Sequence, residues 1–144
     1  MRLCSIASGS SGNCIYVGSD CAHVLVDVGI SGKRIEQGLN SVDLTGRDID
    51  AILITHEHSD HIKGLGVIAR KHHIPVYATG GTVDALSRMN LGKMPEGIFH
   101  EIREDEPFEI KDLTVNPFTI PHDAAQPVGY REECGEQSVG IATD

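Results

Sequence analysis

An α/β fold is predicted by three observations. The opening third carries short runs rich in Val, Ile, Leu and Cys, separated by Gly/Ser turns. The middle alternates apolar strand-like runs with segments of helical spacing. The last third returns to short strand-like runs joined by polar turns. With 144 residues, 40% of them hydrophobic, the chain has the size and composition of one globular domain spanning residues 1–144.

The elements follow in order. Residues 3–7, 14–17 and 23–28 predict three strands, with turns at 8–13 (S-G-S-S-G-N) and 18–20. Ser31 is placed to cap a helix carrying Ile35, Leu39 and Val42. Residues 51–55 form an apolar run that suits a strand buried on both faces. Ile62, Leu65, Ile68 and Ala69 predict a helix ending near Lys71-His72-His73. A strand at 75–78 precedes a third helix, capped by Thr82 and carrying Val83, Leu86 and Met89. Strands then follow at 98–102, 108–110, 113–115, 118–120, 128–130 and 138–143, with a polar turn at 132–136 before the last. That final apolar strand stops at Asp144 with no closing helix, which predicts a chain cut short.

Composition removes several function classes. No run of 18 apolar residues is present, so no transmembrane helix is expected. The opening MRLCSIASGSSGN lacks the pattern of a secretory signal, which predicts a cytoplasmic protein. The net charge of −9 argues against a broad basic surface for nucleic acid. Bound cations would offset part of the carboxylate excess. Cys4, Cys14, Cys21 and Cys134 show no C-x-x-C spacing and read as reduced, mostly buried thiols.

The chemistry concentrates at residues 56–61, H-E-H-S-D-H. His56, His58, Asp60 and His61 put four metal-capable side chains into six residues, directly after a buried strand. Two-residue spacing sends His56 and His58 to one face. Asp60 and His61 point back as the chain turns into the next helix. Two histidines converge on one ion, and the Asp–His pair can serve a second close by. Glu57 alternates away and reads as a supporting or solvated residue. Asp27, His122 and Asp144 each stand at the end of a strand-like run, and singly each is a weak signal.

Together these positions resemble the metallo-β-lactamase superfamily: an Asp after an early strand, then H-x-H-x-D-H, then a distant His and a distant Asp. The opening S-G-S-S-G-N and T-H-E-H-S-D-H-I-K-G are similar to its WalJ/YycJ-type branch, which is associated with DNA exonuclease activity. The resemblance implies the N-terminal half of a four-layer αββα sandwich. It implies that His56, His58 and His122 hold a first metal and that Asp60 and His61 hold a second. Asp144 would bridge the two, Asp27 would orient the ligand loop, and Asp60 would be essential to catalysis. The family's final metal-binding His has no counterpart, which leaves the second metal under-ligated.

Two divalent cations, zinc or manganese with iron also acceptable to these donors, would generate a hydroxide at neutral pH for hydrolysis. By resemblance, true β-lactamases commonly lack a His at the position of His61, so β-lactams rank low. DNA or another phosphodiester ranks first. A glyoxalase-II-like thioesterase or small-molecule esterase is the alternative. A third reading is an incomplete metal-binding fragment, dimerising through the surface left by the missing half. Ser10, Ser11 and Asn13 lie in a loop that either offers N–H groups to a phosphate or forms a plain turn.

Overall fold

Side chains that alternate between the two faces of each strand build two packed sheets. The computed structural model describes residues 1–142. Strands β1 (Arg2–Ala7), β2 (Cys14–Gly18) and β3 (His23–Val26) form an antiparallel meander. From β3 the sheet continues in parallel through β4 (Ala51–Leu53), β5 (Val76–Thr79) and β6 (Phe99–Ile102), in the spatial order β1-β2-β3-β4-β5-β6. Parallel neighbours need crossover connections. Helix α1 (Gly32–Asn40) links β3 to β4, α2 (Ser59–Ile62) and α3 (Leu65–His72) link β4 to β5, and α4 (Gly80–Ser87) links β5 to β6. The second sheet is antiparallel, with β7 (Phe108–Ile110), β8 (Leu113–Thr119), β9 (Val128–Cys134) and β10 (Gln137–Ile141) in the order β10-β9-β8-β7.

The period of two in a strand assigns each side chain to a layer. Tyr16, Leu25, Ile52, Val76 and Ala78 face the helices and pack with Ile35, Leu39, Leu65, Ile68 and Leu86. Val17, Val24, Val26, Ala51 and Leu53 face the second sheet and pack with Leu113, Val115, Val128 and Tyr130. The first sheet is thus covered on both faces, which is why residues 51–54 read as unbroken apolar sequence. The described layers run helix, sheet, sheet. Ser31 caps α1 as anticipated, its side chain accepting from Arg34 N–H at 3.3 Å.

Several expectations are corrected. The helix anticipated from Ile62 to Ala69 is two helices, broken at Lys63-Gly64. Gly64 N–H donates to Val28 O at 2.8 Å, and a Cβ on Gly64 would collide with Ile30 O. The chain can pass this close to the 28–30 segment only without a side chain. Thr82 does not cap α4. The helix starts at Gly80 with Thr79 as N-cap, and the Thr79 hydroxyl donates to Gln126 O at 2.8 Å instead of capping. Met89 lies beyond α4 and is 39% exposed.

Residues 113–115 and 118–120 belong to one strand, β8, despite Pro117. The N–H and C=O of a strand residue point the same way, and Pro117 O accepts from Asp105 N–H at 2.8 Å, outside the β8–β9 ladder. The missing N–H therefore costs that ladder nothing. Residues 132–134 extend β9, so the turn is confined to residues 135–136. The four thiols are free, but among them only Cys14 is buried; Cys21, in the 18–22 turn, is exposed. The end of the last predicted strand, at residue 143, and Asp144 lie outside the described residues.

Candidate metal centre

The first arm of the candidate centre leaves the carboxyl end of β4. Three bonds anchor it before it turns. Ile54 N–H donates to Tyr77 O at 3.0 Å, Tyr130 Oη–H to Ile54 O at 2.7 Å, and Val128 N–H to Thr55 O at 3.0 Å. His56 follows, fully buried, and His58 stands half-buried at the N-cap of α2. The first turn of α2 brings Asp60 and the fully buried His61 back toward His56, whose ring centroid lies 4.0 Å from that of His61.

The structure brings His56, His58 and His122 together: one ligand atom from each lies within 4.8 Å of the others. His58 Nδ1 and His122 Nε2 are 3.2 Å apart. His56 Nε2 is buried and has no hydrogen-bond partner. Buried polar atoms are seldom left that way, and a metal ion is one of the partners that explains an exception. Burial, reinforced by His61, His122 and His58, pushes the His56 pKa down to about 3. Its ring is therefore neutral at physiological pH, with a lone pair to offer. His61 Nε2 lies 3.5 Å from Asp60 Oδ2, so a second donor pair adjoins the triad. These nitrogen and carboxylate donors fit divalent ions of the zinc or manganese type.

One buried carboxylate organises both groups. Asp27 accepts from Thr55 N–H at 2.8 Å, from the Thr55 hydroxyl at 2.7 Å and from His61 Nδ1 at 2.6 Å. The Thr55 oxygen, its proton given to Asp27, accepts in turn from His56 Nδ1 at 2.9 Å. Both histidines thereby carry their proton on Nδ1 and turn Nε2 toward the centre. Burial pushes the Asp27 carboxyl above its ordinary range, and the bonds from His61 and Thr55 oppose that. Asp27 holds a left-handed backbone, φ 63°, as the chain leaves β3. Next to it, Gly29 has no room for a Cβ, which would collide with Asp60 O.

The second arm, residues 120–127, carries His122 and is held through Ala125 and Gln126. Ala125 N–H donates to Glu57 Oε2 at 2.9 Å, and the Gln126 side chain accepts from Gly81 N–H at 2.7 Å. Glu57 is half-buried, and through Oε2 it ties the two arms together.

The remaining predicted positions fall apart. Ser10 and Ser11 are exposed on the turn, whereas Asn13 is turned inward against Asp60 and His61. Asp144 lies outside the described residues. Thr55 went unnoticed in the sequence; the signal was a lone hydroxyl closing an otherwise apolar buried strand. Among the described residues no helix is long and apolar enough to cross a membrane.

Comparison with known proteins agrees with this geometry. Residues 22–144 match the sequence family described as the beta-lactamase superfamily domain. The chain is 41% identical over 139 residues to exodeoxyribonuclease YycJ of Bacillus anthracis, an alignment covering 96% of this chain and 52% of that protein. It is 40% identical over 140 residues to exodeoxyribonuclease WalJ of Streptococcus pneumoniae, with the same coverage. The chain thus spans about half the length of the curated relatives it matches. Among solved structures, the metallo-β-lactamase SMB-1 superimposes with a TM-score of 0.76 at 19% identity, over 96% of this chain and 60% of that one.

Proposed function

The chain belongs to the metallo-β-lactamase superfamily, and from that membership we propose that it is a metal-dependent phosphodiesterase acting on DNA. The observation that carries the hydrolytic part is the unpartnered, buried Nε2 of His56 within a three-histidine cluster, beside the Asp60–His61 pair. DNA as substrate is supported by relatives of 40–41% identity that are named exodeoxyribonucleases.

We assign His56, His58 and His122 as the residues that would hold a first divalent ion, and Asp60 and His61 as those that would hold a second, with Asp144 as a further carboxylate donor by family resemblance. Zinc and manganese suit these donors best, and iron is compatible with them. Such ions, when bound, lower the pKa of a water toward neutrality and polarise the phosphodiester. The protein's own part is positioning. Asp27 and Thr55 hold the His56 and His61 rings with Nε2 inward. The Asp27 carboxylate behind the His61 Nδ1–H makes that ring a stronger donor. The buried wall around His56 keeps bulk water from competing at Nε2. We assign a phosphate contact to the Ser10–Ser11 turn; its exposure and its link to Asp60 through Asn13 support that reading. In this reading residues 1–144 supply the N-terminal half of one metallo-β-lactamase-like domain.

The test is degradation of end-labelled duplex DNA by the manganese-loaded protein. Label is expected to be released, and release is expected to stop with a chelator or with Asp60→Ala. Turnover of a glutathione thioester by metal-loaded protein that leaves DNA intact would replace the phosphodiester with a thioester.

A further inference from the structure

Asn13 is nine-tenths buried at the end of the β1–β2 turn, and its contacts converge on one place. Its Nδ2 lies 3.2 Å from Asp60 O, 3.4 Å from Asp60 Oδ2 and 3.3 Å from His61 Nε2. The same nitrogen lies 3.0 Å from Gly9 O, and Oδ1 accepts from Gly9 N–H at 3.2 Å. A carboxamide has two N–H groups. One is satisfied by Gly9 O. The other lies within reach of three acceptors of the Asp60–His61 pair, and Nδ2, Asp60 Oδ2 and His61 Nε2 form a triangle with sides of 3.3–3.5 Å. The backbone of Asn13 grips the same turn: its N–H donates to Asp60 O at 2.8 Å, and its C=O accepts from Gly29 N–H at 2.8 Å.

We propose that Asn13 is a positioning residue for the Asp60–His61 ion site: its amide N–H holds the two donors toward each other before an ion enters and gives way when one does. The inference rests on the metal-centre reading above and adds a residue to it. An N–H group is a weak stand-in for a cation, since it offers partial positive charge to the same two lone pairs. It keeps the carboxylate and the imidazole from swinging apart, as partners behind metal ligands generally do. Among the described residues Asn13 bonds the Asp60–His61 pair and not the three-histidine cluster, so its influence falls on one ion and not the other.

The test is a stepwise zinc titration against a competing chelator, on the unaltered protein, Asn13→Ala and Asn13→Asp. Asn13→Ala keeps both main-chain bonds and loses the carboxamide. It is expected to weaken the second ion by about tenfold and leave the first within about twofold. Asn13→Asp has the same shape but places an anionic oxygen where the N–H stood, and it is expected to tighten the second ion. In the metal-free protein, the ring ¹⁵N signal of His61 Nε2 is expected to move in both variants while that of His56 stays. Equal weakening of both ions, or an unchanged second step in either variant, would overturn the inference. If the unaltered protein takes one ion at the histidine triad and none at Asp60–His61, the inference fails while the triad reading stands. If it takes none, both fail. Should Asn13→Ala not fold, the isosteric Asn13→Asp decides.

Discussion

Among the described residues two carboxyl groups are buried, Asp27 and Glu132, and their surroundings are opposite. Asp27, 1% exposed at the end of β3, accepts three hydrogen bonds from Thr55 and His61. Glu132, fully buried on β9 between Val115 and Val139, has no hydrogen-bond partner for either oxygen. Burial pushes both above the ordinary carboxyl range, Glu132 to about 8. At Asp27 the donors oppose burial, and the group orients two imidazoles. At Glu132 nothing opposes it, and the group keeps its proton at neutral pH. Burial alone therefore does not mark a functional acid. What marks Asp27 is burial with donors that lead on to the clustered imidazoles of His56 and His61.

The largest expected effect comes from breaking the organised side. Asp27→Ala leaves the Thr55 N–H and hydroxyl and the His61 Nδ1–H without their acceptor, and is expected to cost about 3–5 kcal/mol in a urea melt. Next is the unorganised side. Because the folded-state pKa of Glu132 lies above its ordinary value of 4.5, the folded protein holds a proton that the unfolded chain releases. Stability is then full below pH 4.5 and falls as pH rises through about 8. Glu132→Gln removes the titration, so the variant is expected to gain on the order of 3 kcal/mol over the unaltered protein at pH 8.5 and almost nothing at pH 4. Parallel pH–stability curves for the two proteins would erase the contrast with Asp27.

Smaller changes sharpen it. Thr55→Val keeps the shape and cuts the link from Asp27 to His56; about 1–2 kcal/mol of stability and about tenfold in zinc affinity are expected to go together. Loss of stability without loss of affinity would mean that the link does not orient His56. Glu57→Gln, at the tie between the two arms, is expected to cost roughly 0.5–1 kcal/mol by thermal melt.

Much of this was legible in the sequence because it is local. H-E-H-S-D-H needs only its own spacing and a preceding buried strand, and both are found. The strand–helix alternation of residues 51–87 is written in hydrophobic period and survives in β4, α3, β5 and α4. What was not legible depends on distant partners. The break at Gly64 is set by Val28 and Ile30, thirty-odd residues earlier. The continuity of β8 through Pro117 depends on which side of the strand Asp105 occupies. Glu132 looked like part of a polar turn, because nothing in its neighbours in sequence shows that it faces the inter-sheet core. Asn13 was noticed for its Gly/Ser loop, but its approach to His61 exists only once the β1–β2 turn meets α2.

The central claim is that His56, His58 and His122 hold one ion. Anomalous diffraction at the zinc edge, from crystals of the zinc-saturated protein, tests it most directly. A peak bonded to all three imidazoles at about 2.0–2.1 Å is the predicted result. A peak held by other residues, or bound zinc with His56 Nε2 left uncoordinated, would contradict it.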